Sequence, residues 1–426
     1  MDPITIGILA LVGLLVLIAL RVPIGVSLIF VSFAGIWAIA GMRPAMSMLS
    51  TIPYSSSANW TLSSIPMFLL MGYLAYHSGL TRGLFEAARI WWGWLPGGLA
   101  IASLAGAGGF AAVSGSSVAC SAAIGRIAIP EMNRQGYDLR IATGSVAAGG
   151  TIGALIPPSI ILILFGIQSN SSINALFIGG LIVGVISLLF YVAAVLIVSR
   201  LSPGRLPRSE PYTMSDRWAK TLEIWPVLLL ILSVLGGLFG GFFTASEAGA
   251  FGAFMALVIG LSRRSLSWSG FRESLVDTLL ASGALFIIAI GANLFTRLVA
   301  MSGLSVEISG LVESMGLGTT GLLIAITLIY LALGMFLEPI GALLLTLPLF
   351  LPLIGIHGID KIWFGVLVAK LLEIGMITPP VGLNVFVIHS VARDFVRLEQ
   401  VFAGIVPFLL ADLVLIAIML ATHGLF

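Results

Sequence analysis

Long apolar runs, separated by short polar segments, fill the chain from one end to the other. Their lengths predict membrane spans near 4–20, 22–41 and 62–78, a helix pair at 96–133, a broken span at 139–168 and a span at 173–199. The pattern then begins again. Spans are predicted at 223–241, 244–261 and 276–299, a pair at 318–355, a broken span at 361–389 and a last span at 397–421. Both broken spans carry a Pro-Pro step inside an otherwise helical apolar run.

The two runs share a piece of chain. Thr151-Ile-Gly-Ala-Leu-Ile-Pro157-Pro158-Ser recurs, 222 residues on, as Glu373-Ile-Gly-Met-Ile-Thr-Pro379-Pro380-Val. Upstream, Pro130, Gly136, Asp138, Val146 and Ala147 stand opposite Pro352, Gly358, Asp360, Val368 and Ala369. Paired breaks at corresponding positions of two hydrophobic halves point to a secondary transporter with its binding site at the breaks. Each helix pair is Gly-rich and turns tightly, the first at Ser114-Gly-Ser-Ser117, so both pairs read as re-entrant hairpins. Each half then has five crossings, an odd number, so the second half must enter from the opposite side. The expected fold is an all-α integral membrane protein with an inverted repeat of five spans plus one hairpin per half. Residues 1–199 form the first repeat, 200–222 a cytoplasmic linker and 223–426 the second repeat.

Basic residues set the expected orientation. Arg200, Arg205, Arg208, Arg217 and Lys220 cluster in 200–220, and Arg263, Arg264 and Arg272 follow in 262–272. Both segments should be cytoplasmic, whereas 302–316, with Glu307 and Glu313, should face outward. Ten crossings put both termini on the outer face. Between span and hairpin, 79–94 places Arg82, Glu86 and Arg89 on one helical face and adds Leu84, Trp91, Trp92 and Trp94. It reads as an interfacial amphipathic helix, and 303–316 as its counterpart.

Composition narrows the function. With 59% hydrophobic and 9% charged residues and a mean hydropathy of +1.14, the chain belongs in lipid. No alternating barrel pattern occurs, so the spans must be helices. The first span lacks a basic n-region and an A-x-A site and reads as retained rather than cleaved. The single cysteine, Cys120, excludes an intrachain disulfide. His77, His357, His389 and His423 are scattered without metal-ligand spacing, and no P-loop occurs, so neither a metalloenzyme nor an ATPase is expected. No acid/base constellation suggests an enzyme, and nothing suggests nucleic-acid binding. Uphill transport would draw on an ion gradient.

A Pro-Pro step unwinds a helix and frees carbonyls and N–H groups, tolerated in a membrane only where they line a cavity or find partners. At the first hairpin turn, Ser114, Ser116 and Ser117 are expected to face Gly149, Gly150 and Thr151 at the break. Uncharged hydroxyl and carbonyl oxygens suit Na⁺ better than divalent ions, which recruit carboxylates. The second half offers the turn at Phe336-Leu-Glu338-Pro339 and a break with Gly375, Thr378, Pro379, Gly382 and Asn384. Charges inside the membrane are functional candidates by default, which singles out Glu338 and Glu373. Lys370, three residues before Glu373, is placed to neutralise it. Glu247 after Thr244, and Asp138 and Asp360 before the broken spans, read as helix N-terminal partners.

Ser114-Gly-Ser-Ser, Pro130-Glu-Met with Gly136-Tyr-Asp138, and Gly149 through Ser159 together resemble the large membrane subunit of TRAP transporters, the DctM-type permeases of the ion transporter superfamily. Leu347-Pro-Leu-Phe-Leu-Pro352, Gly358-Ile-Asp360 and Glu373 through Asn384 extend the resemblance over nearly the whole chain. Glu338 departs from it, since many relatives carry aspartate there. The resemblance implies a bacterial inner-membrane, elevator-type importer of an organic anion, carboxylate or sulfonate, coupled to Na⁺. It also implies two partners, a small four-span membrane subunit and a periplasmic substrate-binding protein. Sodium is then expected at Ser114, Ser116, Gly149, Gly150, Thr151, Glu338, Gly375, Thr378 and Pro379. The anion is expected at Ser117, Pro157, Pro158, Glu373, Pro380, Gly382 and Asn384. A stand-alone Na⁺/dicarboxylate or citrate symporter, needing no binding protein, is the alternative.

Overall fold

Apolar stretches with glycine, proline and capping residues at their ends fold here as helices, and no strand occurs among the described residues. The computed structural model describes residues 2–202, 204–207, 212–316 and 318–423. It begins with α1 (Pro3–Ala19), α2 (Ile24–Ala40), α3 (Met42–Ser57), α4 (Ser64–His77) and the short arm α5 (Leu80–Trp92). A tight pair follows, α6 (Gly98–Ser114) and α7 (Ser117–Arg134), then α8 (Leu139–Thr151), α9 (Ile160–Ser169) and α10 (Ile173–Leu201). The second half holds α11 (Met214–Glu223), α12 (Trp225–Phe239), α13 (Ala245–Ser262), α14 (Trp268–Ser302) and the arm α15 (Leu304–Ser314). It closes with α16 (Thr319–Phe336), α17 (Pro339–Ile356), α18 (Lys361–Gly375), α19 (Leu383–Ala392) and α20 (Leu398–Ala421).

Among the described residues six helices, α10, α13, α14, α16, α17 and α20, are long and apolar enough to cross a bilayer, or seven if α11 and α12, bent by 61°, form one span. At 17 residues each, α1 and α2 fall just short of that length. The helices pack as two bodies. One groups α1, α2, α4, α12, α13 and α14, with α14 lying along both α2 and α4. In the other, α8 is enclosed by α6, α7 and α20, while α18 packs on α16 and α10. The bodies meet where α4 touches α6 and α14 touches α17.

Helix ends follow local chemistry. Asp138 caps α8 by accepting from Arg140 N, and Asp360 caps α18 by accepting from Trp363 N. Thr244 and Glu247 form a reciprocal capping box at α13, a purely structural role. Three elements differ from expectation. The serine-rich segment Met42–Ser57 is helical although its hydropathy is low, because it is amphipathic and rests on α2 and α14. α14 starts eight residues before the predicted 276, its polar first turns capped by Ser267. The 200–222 linker contains α11, started by a Thr213–Asp216 capping box; Arg208 lies outside the described residues.

α11 docks on α5. Trp91 Nε1 donates to Thr221 Oγ1 at 2.9 Å, Trp218 meets Trp91 edge-on, and Arg217 lies 5.8 Å over the Trp91 ring. Lys220 Nζ sits 3.0 Å from Glu86. Burial opposes ionisation of Glu86, but Lys220 and Arg82 outweigh it and hold the carboxyl below its ordinary value. Nearby, Tyr137 Oη donates to Pro207 O and accepts from Leu99 N, so both ends of the α6–α7 pair lie on the linker side. Cysteines replacing Asp216 on α11 and Gly310 on α15 should label from opposite sides of intact cells with a membrane-impermeant maleimide. Labelling from one side would break the orientation drawn from basic residues.

Candidate functional site

Each hairpin tip is seated on a helix break. α8 ends at Thr151, a single 3₁₀ turn covers Ile152–Ala154, and irregular chain leads to Ser159, which caps α9 through Leu162 N. Ser159 Oγ also donates back to Ala154 O. The first tip, Gly115 and Ser116, lies on this segment. A Cβ at Gly115, whose φ is +62°, would collide with Pro158 O, so glycine is what lets tip and break touch. In the second half α18 ends at Gly375, and the chain resumes helix at Leu383 with Asn384 N donating to Met376 O. There a Cβ on Gly375 would lie 2.5 Å from Gly334 Cα, so α16 and the break approach backbone to backbone. Ser116 and Glu338 occupy equivalent roles. Each is the N-cap of its hairpin's second helix, Ser116 accepting from Ala119 N and Glu338 from Gly341 N.

A hydrogen bond joins the first hairpin to the second break. Ser117 Oγ donates to Glu373 Oε2 at 2.6 Å. Glu373 is fully buried, and its Oε1 has no partner among the described residues. A cavity of about 70 Å³ lies here, lined by Ser116, Ser117, Ala154, Glu338, Glu373 and Met376. Two carboxylates thus share a small space with hydroxyls and no basic side chain. An isolated buried carboxylate is costly unless it is paired or neutralised.

Lys370 pairs with a carboxylate other than Glu373, contrary to the expectation from their spacing. The two positions are neighbours on α18, but packing supplies each with a different partner: Lys370 Nζ lies 2.6 Å from Asp412 Oδ1 on α20, and Glu373 accepts from Ser117. Tyr191 on α10 completes the group. Its hydroxyl donates to Asp412 Oδ2 at 2.8 Å, accepts from Lys370 Nζ at 3.3 Å and lies 3.1 Å from Thr151 Oγ1. The Thr151 hydroxyl therefore faces α10 and the Ala148 carbonyl rather than the hairpin tip. Gly149 is turned toward Leu104 and Ala107 of α6, and only Gly150 abuts the tip region, beside Ser117 O and Ser121.

The remaining predicted residues divide by half. Pro157 and Pro158 are buried, whereas Pro379 and Pro380 are exposed and Thr378 is partly so, its hydroxyl donating to Ile374 O. Gly382 starts α19 with a φ of +60°. Asn384 is fully buried, and neither amide atom has a partner among the described residues. Ser114 and Ser116 line a second cavity of about 310 Å³, together with Tyr73, Tyr76, His77 and Arg126. There Arg126 Nη1 donates to Tyr76 Oη at 3.1 Å.

Arg126, Tyr191 and Asp412 were not among the candidates read from sequence. Charge inside an apolar helix was the available signal for Arg126 and Asp412. Tyr191 carries no such mark.

Paired hairpins seated on paired breaks, in a bundle of apolar helices, define a multi-pass membrane transporter. The fold agrees. It resembles the Alcanivorax borkumensis YdaH transporter (TM-score 0.62, 13% identity, 90% of this chain and 89% of that one). It also resembles Neisseria gonorrhoeae MtrF (TM-score 0.62, 14% identity, 99% and 95%).

The chain belongs to the DctM component family of the tripartite ATP-independent periplasmic (TRAP) transporters, whose family model matches residues 11–425. It is thus a multi-pass transport protein of the inner membrane, and its relatives are permeases. The isethionate TRAP transporter permease protein DctMQ of Oleidesulfovibrio alaskensis is 32% identical over 94% of this chain, which spans 61% of that protein's length. The C4-dicarboxylate large permease DctM of Pseudomonas aeruginosa is 35% identical over 79% of each chain. The sialic acid large permease SiaM of Vibrio cholerae is 30% identical over 95% of this chain and 94% of that one.

Proposed function

We propose that the chain is the large membrane subunit of a Na⁺-coupled importer of an organic anion, a carboxylate or sulfonate. A periplasmic binding protein delivers the anion, and a small four-span membrane subunit completes the complex. The observation that carries the reading is the Ser117–Glu373 joint, where both hairpins and both breaks converge on a small cavity with two carboxylates and no basic side chain. Such a cavity suits a cation and repels an anion. Glu373, grouped with the anion residues from sequence alone, therefore joins Ser116 and Glu338 on the cation side.

The larger cavity offers the anion donors from Ser114, Ser116, two tyrosines and Arg126, with the Asp277 carboxylate also on its wall. The relatives named above are described as permeases for isethionate, C4-dicarboxylates and sialic acid, all organic acids. DctMQ extends well beyond the part this chain matches, which supports a second membrane component here. The halves form an inverted repeat, and the body holding α6–α10 and α16–α20 slides past α1, α2, α4 and α12–α14 as an elevator. Gly72 of α4 packs against the backbone at Ser114, at the seam where that sliding would begin.

Alanine at Ser116 or Thr378 should leave the protein folded while raising the Na⁺ concentration for half-maximal uptake. Losing one oxygen ligand worth about 1 kcal/mol gives roughly a fivefold rise. The measurement is uptake of labelled succinate and isethionate against Na⁺ concentration, with and without the binding protein. Unchanged Na⁺ activation in both variants would remove the ion-site assignment, and uptake indifferent to the binding protein would favour a stand-alone symporter.

A further inference from the structure

Four arginines converge on one cleft between the arm and the first hairpin. Arg82 and Arg89 stand on one face of α5, Arg126 and Arg134 on one face of α7, and with Glu86 and Glu131 they line about 310 Å³. The glutamates do not balance them. Glu131 accepts from Arg89 at 3.0 Å and lies 3.8 Å from Arg134, while Glu86 is shared by Arg82 at 3.1 Å and Lys220 at 3.0 Å. Arg126 bonds only the Tyr76 hydroxyl among the described residues, and Arg89 Nε is buried without a partner. The cleft keeps a surplus of positive charge and of unused donors.

Two placements give that surplus a direction. Arg126 lines both this cleft and the cavity reached by Ser114 and Ser116, so the two spaces share a wall at its side chain. The cleft also lies on the linker side, where Lys220 of α11 reaches Glu86 and the basic segments gather. By the distribution of basic residues that side is cytoplasmic.

We propose that this cleft is an inner vestibule that receives the organic anion as it leaves the hairpin cavity, handed over by Arg126. A cleft of guanidinium groups with low-dielectric walls concentrates anions locally, and the planar fork matches carboxylate and sulfonate oxygens. Glu86 and Glu131 hold the attraction to a level from which the anion can depart. The inference rests on the transport reading, so its test is a binding measurement that needs no turnover.

Ile127, partly exposed on the cleft wall, is replaced by cysteine in the intact complex; the only native cysteine, Cys120, is buried and stays unlabelled. Labelling by a charged maleimide is followed in inside-out vesicles of phosphatidylethanolamine, with and without phosphatidylglycerol. Millimolar succinate or isethionate is expected to slow labelling about threefold or more, and high salt to abolish the protection. Arg82→Gln with Arg134→Gln should remove it. Those side chains are 75% and 80% exposed, so the double variant keeps its fold. Labelling indifferent to both anions, or equal protection in the variant, would overturn the vestibule. Protection supplied by phosphatidylglycerol alone would also overturn it, assigning the cleft to a lipid headgroup. Failed uptake with anion protection intact would count against the transport reading instead.

Discussion

Asparagine at position 412 is expected to destabilise the protein by about 3–5 kcal/mol, the usual result of removing one partner from a buried ion pair. Lys370 and Asp412 are 0% and 1% exposed, and the ammonium lies 2.6 Å from Oδ1, so two opposite charges are paired away from water. With Asp412 neutralised, Lys370 would keep only the Tyr191 hydroxyl at 3.3 Å. The readout is the thermal unfolding midpoint of purified protein. Lys370→Met combined with Asp412→Leu should recover most of the loss, because well-packed apolar groups replace a buried pair at little cost. An Asp412→Asn midpoint equal to wild type would show that the pair contributes nothing. The network deserves separating from mere scaffold, since Thr151 and Lys370 belong to the two broken helices and Tyr191 and Asp412 hold them together. A double variant that regains its midpoint but not its uptake would give the network a positioning role.

The difference between what sequence shows and hides is visible at these residues. Pro157-Pro158 and Pro379-Pro380 mark the breaks because two successive prolines remove two N–H donors and crowd the preceding turn, and Asp138 and Asp360 mark the starts because their side chains satisfy the first free N–H groups. Such effects act within a few residues, and the pattern of the chain reports them directly. Lys370 is the opposite case. Glu373 is its visible neighbour at helical spacing, yet its partner is 42 positions away on α20, a choice made by packing. Thr151 likewise turns toward Tyr191, although its place in the repeat suggested the hairpin tip. Met42–Ser57 was illegible for another reason: its helix depends on an apolar face resting on α2 and α14, and mean hydropathy does not register a face. Glu373 and Glu338 were legible as charges within apolar segments, while their convergence with Ser116 and Ser117 required the fold.

Glutamine at position 373 is expected to separate folding from transport. Glu373 is fully buried, one oxygen accepts from Ser117 at 2.6 Å, and the other has no partner among the described residues. Glutamine keeps the shape and, through its carbonyl, the Ser117 hydrogen bond, while removing a charge that forms no ion pair among the described residues. Stability in Na⁺-free buffer should therefore hold or rise, since an uncompensated buried charge opposes folding. On the proposed reading transport should fall about tenfold or more, because the cation would lose the attraction of a negative charge worth more than about 1.4 kcal/mol at this depth. Ser117→Ala makes the complementary change. It leaves both Glu373 oxygens without a donor and should lower stability by about 1–3 kcal/mol. The pair of variants should thus move stability in opposite directions while both weaken Na⁺-dependent uptake, a pattern that a packing defect would not produce. Wild-type uptake and Na⁺ activation in Glu373→Gln would remove the carboxylate pair from the mechanism. A glutamine variant less stable than wild type without Na⁺ would show instead that Glu373 is held by contacts that favour its charge, and the cation would no longer be needed to explain its burial.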